Sequence, residues 1–123
     1  MNKQQIFDKA YTKIIEQGGP SYVPSQRLCF YRGPDGRKCA VGHFIDDEVA
    51  SNWEGWAISD LDLDLLEMSE TVSDNKALFE ALQGAHDNAT NRTHGDKSFM
   101  RLYKKLMQPI AVTFKLNLPT QKV

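Results

Sequence analysis

The sequence lacks any long apolar run, its longest being a few residues against the roughly 20 that a bilayer-spanning helix needs. No membrane segment is therefore expected. It also has almost no net charge, with 15 Lys and Arg against 16 Asp and Glu leaving a formal −1, so direct nucleic-acid binding, which needs a basic surface to displace counterions, is disfavoured. Cysteine is scarce: Cys29 and Cys39 are too few for a disulfide scaffold. The opening Met1 to Gln5 leads into an amphipathic segment rather than the apolar core of a signal peptide, so the expectation is reduced thiols and a cytoplasmic location. Repeats, low-complexity tracts and internal linkers are missing too, and residues 1–123 are read as a single domain large enough for its own core.

What is present begins with Ile6, Phe7, Ala10, Tyr11, Ile14 and Ile15 at helical spacing, which predicts a helix from Lys3 to Gln17, stopped by Gly18-Gly19-Pro20. Residues 27–32 and 37–42 read as strands around Gly33-Pro34-Asp35-Gly36. Pro34 and Asp35 suit the centre of a type I turn, and Gly36 suits the left-handed position of a following bulge. That register puts Tyr31 opposite Cys39 and Cys29 opposite Val41, with both thiols diagonally placed on one face. Asp46-Asp47-Glu48 opens a short helix through Asn52, and a second short helix is expected around Leu61 to Leu66. Ser73 as N-cap starts a helix through about Thr90, and another runs from Asp96 or Lys97 towards Phe114, with Pro109 expected to kink or end it. Residues 118–123 read as a frayed tail. The expected fold class is α+β, with about three main helices packed on a short antiparallel β-hairpin.

One further feature of the hairpin is the run Cys29-Phe30-Tyr31-Arg32-Gly33-Pro34-Asp35-Gly36-Arg37-Lys38-Cys39-Ala40-Val41-Gly42. It is followed by Phe44 to Glu48 and later by Leu82-Gln83-Gly84-Ala85-His86-Asp87. This pattern resembles a group of small uncharacterised proteins encoded by tailed phages and prophages, and the likeness covers most of the chain. The resemblance implies an accessory protein in the cytoplasm of a bacterial host that binds and inhibits a host protein, such as a defence or nucleic-acid-handling system.

Read by chemistry, Cys29, Cys39, His86 and Asp87 are the parts of a thiol nucleophile, a histidine base and an orienting carboxylate. Against that, free cysteines most often pack as small apolar side chains. Cys29 and Cys39 with His43 and His86, or with His94, could alternatively hold a structural zinc ion, although the spacing between the cysteines fits no zinc knuckle. Tyr31, Arg32, Arg37 and Lys38 form a basic cluster at the hairpin suited to a phosphate or an acidic partner. Asp60, Asp62 and Asp64, within an acidic run from Asp46 to Glu70, could present a face that imitates nucleic-acid phosphates. The leading expectation is binding of a host protein, or sequestration of a small-molecule ligand, without turnover and with no cofactor. The alternatives are a Cys/His enzyme or a domain with a structural zinc site.

Overall fold

The computed structural model of the chain describes residues 2–23, 28–29, 31–52, 54, 72 and 75–119. Helix α1 spans Lys3–Gln17. Its first turn is closed by a capping box: the Asn2 side chain accepts the Gln5 N–H at 2.8 Å, and the Gln5 side chain accepts the Asn2 N–H at 2.9 Å. It stops at Gly18, whose φ of 83° is left-handed and costs glycine nothing; the Gly18 N–H caps the Ile15 carbonyl.

Helix α2 (Asp47–Asn52), helix α3 (Lys76–Arg92) and helix α4 (Asp96–Phe114) follow. The three-residue connection Thr93 to Gly95 keeps α3 and α4 side by side, and α1 packs on both. Their inner faces supply Ile6, Phe7, Ile14, Leu78, Phe79, Leu82, Phe99, Tyr103 and Met107 to one core. Tyr103 is fully buried, and its hydroxyl is satisfied by donating to the Ala10 carbonyl at 3.2 Å. The helix proposed with Ser73 as N-cap starts two residues later, with Asn75 at the cap position, while Ser73 itself and the proposed helix at 61–66 lie outside the described residues.

Pro109 does not end α4, which runs five residues further to Phe114. The proline is exposed, whereas Met107 and Ala111 on either side of it are buried, so packing of the inner face outweighs one missing N–H. Just before the predicted tail, the chain is held against α1 and the core. Gln4 of α1 accepts the Asn117 N–H and donates to the Asn117 carbonyl, both at 2.9 Å, and Leu116 packs against the core.

The α+β expectation is corrected: the fold is mainly helical, and the predicted hairpin is not built. Strands β1 (Tyr22–Val23) and β2 (Leu28–Cys29) pair with each other, two residues apiece, so Cys29 faces Tyr22 and not Val41. Of the proposed ladder between 27–32 and 37–42, a single bridge survives, Arg32 with Lys38. Residues Val41–Phe44 form a 3₁₀ turn, and the tip carries two successive left-handed residues, Asp35 (φ 59°) and Gly36 (φ 73°), in place of a type I turn and bulge.

The reason lies in where the backbone hydrogen bonds go. Gln17 of α1 accepts the Lys38 N–H at 3.0 Å and donates to the Lys38 carbonyl at 2.7 Å. Gln83 of α3 accepts the Val41 N–H at 3.1 Å, and the Cys39 sulfur accepts that of Gly42 at 3.3 Å. The Glu54 carboxylate takes the Tyr31 and Arg32 N–H groups at 2.6 and 3.0 Å. The Arg32 guanidinium donates to the carbonyls of Gly42 (2.6 Å), Ile45 (2.7 Å) and Tyr31 (3.2 Å), and its Nε to Asp47 at 2.7 Å. Side chains have taken the groups that a β-ladder would have paired.

Two expected outcomes follow for thermal or chemical denaturation. Arg32→Lys loses the planar fork that serves three carbonyls and should cost about 2 kcal/mol. Gly42→Ala should cost as much or more, because a Cβ there would collide with the Tyr31 carbonyl.

Candidate functional site

The proposed catalytic residues fall around a buried polar network on α3. Gln83, His86 and Asp87, spaced i, i+3 and i+4, lie together on the helix beside the apolar Leu82, Ala85 and Ala89. His86 is fully buried. Its Nε2 accepts the Ser21 backbone N–H at 3.1 Å, which leaves the ring proton on Nδ1, donated to Asp87 Oδ1 at 3.0 Å. Gln83 donates to the same oxygen at 2.9 Å while its own oxygen holds Val41. The edge of His86 meets the Phe99 ring at 5.5 Å. This network ties the segments at Ser21 and Val41 to α3.

Both ring nitrogens of His86 are therefore occupied, one by a backbone group that cannot give up its proton. A general base needs a free nitrogen within reach of the proton it removes. The His86–Asp87 pair forms as proposed, but the imidazole is spent on positioning the chain. Cys39 is 1% exposed and its sulfur accepts an N–H from Gly42, whereas a nucleophilic thiolate needs an accessible, electropositive setting. The side chain of Cys29 lies outside the described residues. Tyr31 is buried as well, and its hydroxyl is pushed well above its ordinary pKa by burial first, then by Cys39, Glu54 and Asp87.

Among the described residues, no three of His, Cys, Asp and Glu come together to hold a metal ion, so Cys39, His43 and His86 do not share a site. His43 Nε2 instead contacts Gln17 Oε1 at 3.1 Å. Its pKa is lowered to about 4, mainly by burial and further by the surrounding Lys38, Lys9, Lys13 and Arg32.

The basic cluster at the tip is largely consumed within the fold. Arg32 is held as described, and Arg37 makes a two-pronged pair with Asp96 of α4 at 3.0 and 2.9 Å. That contact holds the guanidinium above, and the carboxyl below, their usual ranges. Gly19 lies so close to this pair that a Cβ would strike both partners. Asp60, Asp62 and Asp64, together with Trp53 and Trp56, lie outside the described residues.

An outer surface that sequence reasoning did not single out is the solvent side of α4. At about 100° per residue, Lys97, Arg101, Lys104, Lys105, Gln108 and Val112 fall within one arc roughly 100° wide, opposite Phe99, Tyr103 and Met107. Lys97, Arg101 and Lys105 are exposed, Lys104 is half-buried, and none of the four is ion-paired to a described residue. Asp96, the acidic residue of this helix, is already paired with Arg37. Val112, 79% exposed, continues the stripe. The readable signal was the helical spacing of four cations without an intervening carboxylate.

Set against known proteins, the chain matches no family model, no curated protein and no solved structure. Among the described residues, no helix is long and apolar enough to cross a membrane.

His86→Ala should cost about 3 kcal/mol, since it opens a cavity and strands the buried Ser21 N–H; guanidinium unfolding would measure it. In a Cys29→Ser background, Cys39 should react with a thiol reagent only at the rate of unfolding. The depressed pKa of His43 gives a pH dependence of definite sign. The unfolded chain takes up the proton near pH 6.5 and the folded one only near 4, so this contribution is complete above 6.5 and is lost as pH falls between those values. Solvent screening of a ring that is only partly buried leaves about 1–2 kcal/mol. Denaturation at pH 7.5, 5.5 and 4 should show a shallower decline for His43→Gln than for the native chain.

Proposed function

We propose that the chain acts by binding, without turnover, and that its partner is a carboxylate-rich protein surface. The carrying observation is the cationic stripe of α4, which leaves Lys97, Arg101, Lys104 and Lys105 without ion pairs among the described residues and ends in an exposed valine. Arginine and lysine held along one rigid helix can meet several carboxylates at once, and Val112 adds an apolar contact that a phosphate backbone would not use. The overall charge of −1 also favours a protein partner over nucleic acid. The resemblance to phage-encoded proteins makes that partner a host protein, inhibited by occupancy.

The internal use of His86, Arg32 and Arg37 supports the same reading, because the groups best suited to chemistry already serve the fold. The test is affinity capture from nuclease-treated host lysate with the native chain and with Arg101→Glu/Lys105→Glu. The double variant should fold with an unchanged melting temperature, since exposed substitutions cost little, and should lose its captured protein at least tenfold. Capture that is indifferent to this reversal, or that disappears with nuclease, would refute the proposal.

A further inference from the structure

One side of α1 carries charge of a single sign towards the chain that follows the tip. Lys9, Lys13 and Gln17 recur every four residues along that helix and therefore share a side of it. At one end of this row the Lys9 ammonium sits over the Phe44 ring, 4.8 Å from its centroid. At the other end Gln17 holds the N–H and the carbonyl of Lys38 and contacts His43 at 3.1 Å. Lys13 lies between these two anchor points, so the row faces the seam where α1 meets residues 38–44. The imidazole registers the convergence: burial first, then Lys38, Lys9, Lys13 and Arg32, oppose the protonation of His43.

The cluster is poorly neutralised from within. Lys9 and Lys38 have no ion pair among the described residues, and Lys13 has Glu16 at 3.5 Å, a pair between two exposed side chains that adds little. Arg32, by contrast, is taken by Asp47 and by three carbonyls. His43 Nε2 meets Gln17 Oε1, which can only accept, so Nε2 carries the ring proton and Nδ1 is the nitrogen that gains one on protonation. A lone carboxylate would offset one of these charges. A di- or triphosphate carries several on neighbouring oxygens, and the flexible lysine stems let each ammonium reach a different one.

We infer that the seam between α1 and residues 38–44 binds a compact di- or triphosphate group, held by Lys9, Lys13 and Lys38 with His43 at its edge. The residues are different from those of the α4 surface proposed above, and neither reading depends on the other.

The probe is inorganic pyrophosphate in metal-free buffer, titrated into the full-length ¹⁵N-labelled chain and followed by chemical shifts. Saturable shifts should centre on Lys13, Lys38, His43 and Phe44. Lys9→Gln/Lys13→Gln should weaken binding at least about tenfold, whereas Lys97→Gln/Arg101→Gln, which removes as much charge from α4, should leave it unchanged. Lys13 is exposed, so Lys13→Gln alone, at about a threefold loss, decides the matter if removing Lys9 from Phe44 disturbs folding. With the anion bound, His43 should take up its proton at a higher pH than in the free chain, because the added negative charge opposes the surrounding cations. ATP in a parallel titration separates two sources of the same group: tighter binding than pyrophosphate assigns a nucleotide, and otherwise the free anion is the ligand. Equal loss in the two double variants, shifts centred elsewhere, an unmoved His43 titration or no saturation would overturn the inference.

Discussion

The structure depends on side chains completing the hydrogen bonds of a backbone that forms little regular structure. Between Tyr31 and Ile45 the chain turns repeatedly under a helical layer, and a buried peptide group left unpaired costs about 1–3 kcal/mol. Gln17 from α1, Gln83 from α3, Glu54 and Arg32 supply the missing partners. Because Gln17 and Gln83 come from different helices, the segment holds its shape only while those helices are assembled.

The same constraint explains what happens to the residues with the most reactive chemistry. A histidine inside an apolar layer must have both nitrogens satisfied, and here one accepts from Ser21 while the other donates to Asp87. A constellation that reads as base and orienting acid has thereby become a strut. Arg32 and Arg37 follow the same course, each bound to a carboxylate. Among the described residues, the cations left without an ion pair include those on the solvent side of α4, where they recur at helical spacing.

Much of the helical framework was legible. α1 was read at its observed ends because a regular apolar stripe is stopped by Gly18-Gly19-Pro20. α2 was marked by its acidic start, whereas α4 runs past Pro109, where a kink or an end was expected, because its buried face continues. Even the register near the tip was right at one rung, since the bridge of Arg32 with Lys38 is the one that would set Tyr31 opposite Cys39. The reading went wrong where strand-like residues met competing acceptors: nothing within residues 37–42 announces that Gln17 and Gln83 will claim their N–H groups from 21 and 42 positions away.

By itself the sequence determined which of the main segments are helical and which faces they bury, since hydrophobic periodicity acts over a few residues along the chain. Tertiary structure alone decided that the motif between Cys29 and Gly42 would be a side-chain-braced turn, that His86 would be a structural acceptor, and that Arg32 and Arg37 would be internal. Those outcomes depend on which donor meets which acceptor across long stretches of chain. A hydrogen bond is indifferent to sequence separation, so only the packed arrangement of the helices could select the partners.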